Sequence, residues 1–88
     1  MKIMHANSID QFLGVEYRKL DQRSCYLSYG IRPGATLAAA KEICTYDRRC
    51  IGVLDLGCDG GIFHLCDAAY PDYFRTPFDC VYDKEGKS

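Results

Sequence analysis

The residues of this chain best suited to covalent chemistry are its cysteines. The chain has 88 residues and six cysteines, namely Cys25, Cys44, Cys50, Cys58, Cys66 and Cys80. Small cysteine-dense domains generally use disulfide bonds to compensate for a thin core, which predicts an oxidising compartment. Structural zinc sites favour closely spaced ligand pairs, but the chain contains no Cys-x-x-Cys motif and only a His64-x-Cys66 pair. We therefore expect disulfides, with zinc as the less favoured alternative.

Few other side chains are suited to catalysis. The two histidines are His5, near the N-terminus, and His64, in a predicted strand. If every cysteine is paired, no free thiol remains for a cysteine–histidine nucleophile. The stretch from Asp55 to Gly60 is similar to the start of a calcium loop, but Cys66 stands where such a loop needs its final glutamate. We predict a non-enzymatic protein without a metal ion or cofactor.

Residues suited to ligand binding cluster first between two neighbouring cysteines, as Tyr46, Asp47, Arg48 and Arg49. A disulfide closing this short loop would hold it rigid and lower the entropy lost on binding. Arginine beside tyrosine suits sulfated or carboxylated sugars and also suits protein contacts. The alternative interpretation is a solvated loop without a ligand.

A second candidate surface is the aromatic segment near residue 73. Tyr73 and Arg75 are its candidate binding residues, and Tyr70 and Phe74 lie beside them. Exposed aromatic rings stack on sugars and contact proteins. The alternative is that these rings cover one end of a small core.

Composition and charge limit the classes of partner and the cellular compartment that this chain fits. Eleven basic and twelve acidic residues are interspersed and give a net charge of −1. The chain lacks the basic stripe of a nucleic-acid-binding protein and any long apolar segment that could span a membrane. The first ten residues do not resemble a signal peptide. We therefore interpret the chain as a mature or excised secreted domain, with a cytosolic protein as the alternative.

Hydrophobic patterns predict one small domain over residues 12–83, preceded by a loose segment at 1–11 and followed by a tail at 84–88. Thr36 is a suitable N-cap for a helix over about residues 36–45, because strong helix formers follow it. We predict strands at residues 12–18, 25–31, 50–56, 62–66 and 78–82. The intervening segments 20–24, 57–61 and 67–77 are predicted turns or loops.

Chain geometry favours some cysteine pairings over others. Cys50 and Cys58 flank a predicted strand, so they would lie roughly 26 Å apart, far beyond disulfide reach. We favour the pairs Cys25–Cys80, Cys44–Cys50 and Cys58–Cys66. The alternative is a nested set, with Cys25–Cys80, Cys44–Cys66 and Cys50–Cys58.

The stretch from Thr36 to Cys44, the five-residue loop to Cys50 and the following Gly52-Val53 resemble the PAN/apple domain superfamily. The resemblance covers residues 25–82 and implies an α+β fold, in which a curved antiparallel sheet of about five strands packs against one short helix. The family commonly has a further helix cysteine where this chain has Ala40. That difference favours a local Cys58–Cys66 bond and leaves the helix docked by apolar side chains.

The resemblance also implies a function. PAN-like domains are extracellular recognition modules that bind proteins or carbohydrates, including glycosaminoglycan-like ligands, and several serve in cell adhesion. We therefore expect a protein or glycan partner and a secreted location. The alternative is a small secreted effector that acts by protein binding, such as a toxin, a defence peptide or an antagonist of a protease cascade.

Overall fold

The computed structural model describes residues 15–85. The elements are β1 Glu16–Cys25, β2 Ser28–Gly30, α1 Leu37–Tyr46, β3 Cys50–Leu56, β4 Ile62–Asp67 and β5 Tyr73–Glu85. The five strands form one antiparallel sheet in the order β1-β5-β3-β4-β2. The predicted fold class, a disulfide-stabilised antiparallel sheet with one short helix, is confirmed. The loose segment predicted at residues 1–11 lies outside the described residues.

The helix begins where its cap predicts. The Thr36 hydroxyl oxygen accepts a hydrogen bond from the Ala39 amide at 3.1 Å, which satisfies one of the free amides of the first turn. Ala40 and Cys44 are fully buried, and Leu37 and Ile43 pack partly buried around them. The predicted apolar face of the helix therefore docks on the sheet, mainly on β3.

The sheet has apolar side chains on both faces, because successive residues of a strand point to opposite sides. Val53 of β3 joins the cluster beneath α1, together with Phe63 and Leu65 of β4. The next residue, Leu54, belongs to a second cluster on the other face, with Val81 of β5. β3 is accordingly the most buried strand and the centre of the sheet.

The predicted turn at residues 20–24 is wrong, because β1 continues through it to Cys25. The register shifts between Asp21 and Arg23, and Gln22 has a positive φ of 57° at this bulge. Pairing with β5 supplies the backbone hydrogen bonds that a polar segment would otherwise find in water. Only Ser28–Gly30 of the predicted 25–31 strand remains as β2.

The last strand is longer than its sequence pattern predicts. β5 begins at Tyr73, inside the predicted 67–77 loop, and reaches Glu85, inside the predicted tail. Its register against β1 jumps from Arg75 to Cys80, so residues 76–79 oppose the bulge of β1. Pro77 lies in this unpaired stretch, where its missing amide costs no ladder hydrogen bond.

Three disulfides join all six cysteines, as Cys25–Cys66, Cys44–Cys50 and Cys58–Cys80, with Cα–Cα distances of 5.6, 5.2 and 5.2 Å. The predicted Cys44–Cys50 bond is confirmed. The other two favoured pairs, Cys25–Cys80 and Cys58–Cys66, are wrong, and so is the nested alternative.

The pairing of the strands explains the correction. Cys66 pairs in register with Ser28 of β2, which brings it beside the end of β1 and therefore beside Cys25. Cys66 also lies four residues along β4 from the turn end at Ile62, about 13 Å from it, so the turn residue Cys58 cannot reach it. Cys58 instead folds back towards β5, where Cys80 is paired with Asp55 of β3.

Candidate functional site

The loop closed by the Cys44–Cys50 disulfide, here called the disulfide loop, is fixed at its base by a cation from the last strand. The Lys84 ammonium donates to the Cys44 carbonyl at 2.7 Å and to the Asp47 and Cys50 carbonyls at 3.3 Å each. Burial lowers the pKa of Lys84, and the nearby Asp47 carboxylate opposes this effect. Three carbonyls that converge on one ammonium give the loop a defined backbone shape.

Asp47 holds the loop from within. One oxygen of its carboxylate accepts a hydrogen bond from the Tyr29 hydroxyl at 2.7 Å, and the other accepts from the Arg49 amide at 2.9 Å. The hydrogen bond from Tyr29, followed by that from the Arg49 backbone, lowers the pKa of Asp47. Burial and the bond to Asp47 raise the pKa of Tyr29. Asp47 therefore links the loop to β2 and is not free to bind a ligand.

Arg49 is also engaged by the protein. Its guanidinium lies 4.8 Å from the centre of the Tyr29 ring, within cation–π distance. Its Nε atom is 3.7 Å from the Asp47 carboxylate, and its carbonyl accepts from the Ala68 amide at 2.7 Å. The side chain still exposes 68% of its surface, so a ligand could reach its outer edge.

Tyr46 and Arg48 are the outward-facing residues of the disulfide loop. Tyr46 exposes 62% of its surface, and Arg48 is exposed as well. Within residues 15–85 neither side chain makes a hydrogen bond or an ion pair. The structure therefore brings the four predicted residues into one loop. Asp47 and Arg49 make contacts that stabilise the loop, whereas Tyr46 and Arg48 are exposed and make no hydrogen bond or ion pair within residues 15–85.

Tyr73, predicted as a binding residue, has a structural position. Its hydroxyl donates to the Asp83 carboxylate at 2.5 Å and lies 3.2 Å from the Ile51 carbonyl. Burial and the bond to Asp83 raise the pKa of Tyr73. Its predicted companion Arg75 is exposed and lines a shallow hollow of about 210 Å³. Tyr73 is therefore half-buried and engaged by the protein, whereas Arg75 is exposed to solvent.

An aromatic pair lies on the surface near the start of β5. The rings of Tyr26 and Phe74 are 5.0 Å apart between centroids, and the two side chains expose 61% and 37% of their surfaces. Sequence reasoning included Phe74 in an aromatic segment but missed Tyr26, because its partner is far along the chain. The signal available in the sequence was the period-two pattern of Cys25, Leu27 and Tyr29, which predicts that Tyr26 points to the opposite face of the strand.

Asp55, Cys58 and Cys80 are close enough together to suggest a cation site. Both sulfur atoms, however, are joined to each other in a disulfide and cannot act as thiolates. The Asp55 carboxylate is buried and accepts from the Gly60 amide at 3.1 Å with each of its oxygens. These residues do not fit a metal ion, and Asp55 instead shapes the β3–β4 turn.

A groove that sequence analysis missed lies where the β2–α1 connection meets the start of β4. It has a volume of about 280 Å³ and is lined by residues 31–35 and 61–64, among them Arg32 and His64. The two segments are about thirty residues apart in the chain. No local pattern could therefore have indicated the groove.

No protein-family model, curated protein or solved structure matches this chain. Among the helices of residues 15–85, none is long and apolar enough to cross a membrane. Three disulfides are typical of proteins that fold in oxidising compartments.

Proposed function

We propose that this chain is an extracellular recognition module of the PAN/apple type, and that it binds a protein or carbohydrate ligand through its disulfide loop. The observation that carries the proposal is a fixed loop that presents a tyrosine and an arginine to solvent. Tyr46 and Arg48 lie at its surface. Secretion is part of the proposal and is supported by the pairing of all six cysteines.

The rigidity of the loop favours binding. Ordering a flexible loop costs free energy on association, and a loop that is already ordered avoids much of that cost. Here the Cys44–Cys50 bond closes the loop, and Lys84 and Asp47 hold its backbone. A ligand would therefore meet a surface whose shape is already defined.

The two outward residues suit specific ligands. A guanidinium binds carboxylate or sulfate oxygens with paired hydrogen bonds, and a tyrosine ring contributes apolar area together with a polar hydroxyl. Arg49 adds a second positive charge beside Arg48, and its side chain is 68% exposed. This combination supports an acidic glycan or an acidic protein segment as the ligand.

The first test is a glycan array together with heparin chromatography at low and at physiological salt. We expect retention of the wild-type protein and earlier elution of the Tyr46→Ala and Arg48→Gln variants. Arg75→Gln is the matched control, because it removes an exposed arginine that lies outside the disulfide loop and should elute with the wild type. Equal elution of Arg48→Gln and Arg75→Gln would contradict a role for the disulfide loop in glycan binding.

If no glycan binds and heparin retains nothing, carbohydrate is removed as the ligand class. Protein binding is then tested by chemical crosslinking in extracellular fluid. The wild type should capture a partner that a Tyr46→Ala/Arg48→Gln double variant does not capture. Identical capture by both proteins would contradict the proposed surface.

A further inference from the structure

We propose that the groove lined by residues 31–35 and 61–64 binds a small organic carboxylate that carries an apolar group. The groove is a second site, because it shares no lining residue with the disulfide loop. Its two walls come from the β2–α1 connection and from the start of β4. Charge, apolar surface and size each support this ligand class.

The charge of the groove is positive. Arg32 is its one permanently charged lining residue, and no aspartate or glutamate lines it. Within residues 15–85 the Arg32 guanidinium makes no ion pair or hydrogen bond, so its donors are available to a ligand. Guanidinium groups bind carboxylates through paired, charge-assisted hydrogen bonds.

The N-terminal end of α1 adjoins the groove and contributes no negative charge that would compensate Arg32. Ala35 lines the groove and directly precedes the N-cap residue Thr36. The first turn of α1 contains no acidic residue. The partial positive charge of a helix N-terminus therefore adds to that of Arg32 and is not neutralised locally.

The rest of the lining provides apolar surface. Ile62 lines the groove and exposes 60% of its surface, and Ile31, Pro33 and Phe63 contribute further apolar atoms. A groove lined by an exposed isoleucine and by Arg32 matches a ligand that is apolar at one end and anionic at the other. A bare inorganic anion would leave this apolar surface in water.

A polar ring on the opposite wall can orient such a ligand. The Nδ1 atom of His64 lies 3.3 Å from the Ser28 hydroxyl oxygen, which positions the imidazole. Within the described part of the chain the other nitrogen, Nε2, has no hydrogen-bond partner. It is therefore available to a second polar group of the ligand.

The volume limits the ligand to a small molecule. Pockets that enclose drug-sized molecules generally measure about 300–1,000 Å³. At about 280 Å³ the groove falls just below that range. A carboxylate with one ring or a short aliphatic chain fits this space, and we use phenylacetate as the probe.

The test is a titration of the 15N-labelled protein with phenylacetate at constant ionic strength, followed by NMR. We expect saturable shifts in the amides of residues 31–35 and 61–64, with the disulfide-loop amides unchanged. Phenylacetamide, which lacks the charge, and acetate, which lacks the ring, should each bind about tenfold or more weakly. Equal binding of phenylacetamide or of acetate, or the absence of saturable shifts, would overturn the proposal.

Variants assign the binding to the groove. Arg32→Gln and Ile62→Ser change exposed side chains and should fold normally, while each weakens phenylacetate binding by about tenfold or more. Arg75→Gln, at an exposed arginine outside the groove, is the matched control and should bind phenylacetate like the wild type. Undiminished binding by Arg32→Gln would show that the groove is not the site. These outcomes are independent of whether the disulfide loop binds its own ligand.

Discussion

The Lys84 ammonium donates to the Cys44 carbonyl at 2.7 Å, across 40 residues of sequence. The last carbonyls of a helix have no partner within the helix and carry its partial negative charge. The last turn of α1 contains no basic residue of its own. Lys84 therefore supplies from β5 the cation that α1 lacks, and the same contact fixes the base of the disulfide loop.

Replacement of this lysine should destabilise the domain. In Lys84→Met the carbonyls of Cys44, Asp47 and Cys50 lose a charged donor, and we expect the free energy of unfolding to fall by about 1–2 kcal/mol in urea denaturation. Lys19→Met is the control, because Lys19 is an exposed residue of β1 whose ion pair with Asp21 contributes little. Equal stability of the two variants would contradict the bracing role of Lys84.

The disulfide connectivity can be read directly by mass spectrometry of a non-reducing digest. We expect the linked peptides Cys25–Cys66, Cys44–Cys50 and Cys58–Cys80. A peptide that links Cys25 to Cys80 would instead restore the pairing favoured by the sequence. The measurement needs no variant and no assumption about function.

The three bonds should differ in their contribution to stability. In the chain-entropy model, removal of the Cys25–Cys66 bond, which spans 41 residues, costs about 4 kcal/mol. Removal of the Cys44–Cys50 bond, which spans 6 residues, costs about 2 kcal/mol. Paired cysteine-to-serine variants compared by chemical denaturation test this order. The reverse order would contradict an entropic origin.

Reduction of all three bonds should unfold the domain. Their combined contribution rivals the total stability of a domain of this size, about 5–15 kcal/mol. We expect excess reductant to abolish the far-ultraviolet circular dichroism signal of the sheet. A spectrum that reductant leaves unchanged would contradict this prediction.

Gly52 should not tolerate a side chain. A Cβ atom there would lie 2.8 Å from the Tyr73 hydroxyl oxygen and 2.9 Å from the Tyr82 carbonyl oxygen. The carbonyl belongs to the paired strand β5 and cannot move away without disturbing the sheet, so we expect Gly52→Ala to cost about 1–3 kcal/mol. In the control Gly30→Ala the nearest atom is 3.8 Å away, and its thermal midpoint should stay near that of the wild type. Similar midpoints for both variants would contradict the close approach at Gly52.

Asp47 should make the free energy of unfolding depend on pH in the acid range. Its pKa is lowered in the native state by the hydrogen bonds from Tyr29 and from the Arg49 amide. Because the native pKa is lowered, the ionised carboxylate contributes fully to the free energy of unfolding above its unfolded pKa of about 3.9. This contribution is lost as the pH falls through the native pKa. We expect Asp47→Asn to be about 1 kcal/mol less stable than the wild type at pH 7.

The difference in the free energy of unfolding between wild type and Asp47→Asn should become smaller once the pH falls below about 4. Urea denaturation between neutral and acid pH measures it. Asp72→Asn is the control, because Asp72 is exposed and makes no hydrogen bond or ion pair within residues 15–85, so its difference from wild type should stay near zero. A constant difference for Asp47→Asn across the acid range would contradict the native hydrogen bonds.

Part of the candidate site could be predicted from the sequence. The position of Tyr46, Asp47, Arg48 and Arg49 in a disulfide-closed loop follows from the spacing of the two flanking cysteines. The sequence does not show which of these residues stabilise the loop, because the contacts involve Tyr29 of β2 and Lys84 of β5. The structural position of Tyr73 does not follow from the sequence either, because its hydrogen-bond partner Asp83 lies ten residues further along β5.

By itself the sequence determined the features that depend on neighbours in the chain. The cap at Thr36, the buried face around Ala40 and the Cys44–Cys50 bond all arise within one helix and one short loop, where propensity and spacing act directly. The fold class was implied by the family resemblance of residues 25–82, and the order of the predicted strands and helix agreed with it.

Only the tertiary structure decided the features that depend on strand register. β5 lies between β1 and β3, and this position places Cys80 beside Asp55. It also allows the strand to continue to Glu85, so that Lys84 reaches the end of α1. The pairing of β2 with β4 sets Cys66 beside Cys25 and brings the two walls of the groove together. Register results from the packing of the whole sheet, and polar segments such as residues 20–24 carry no local signal of it.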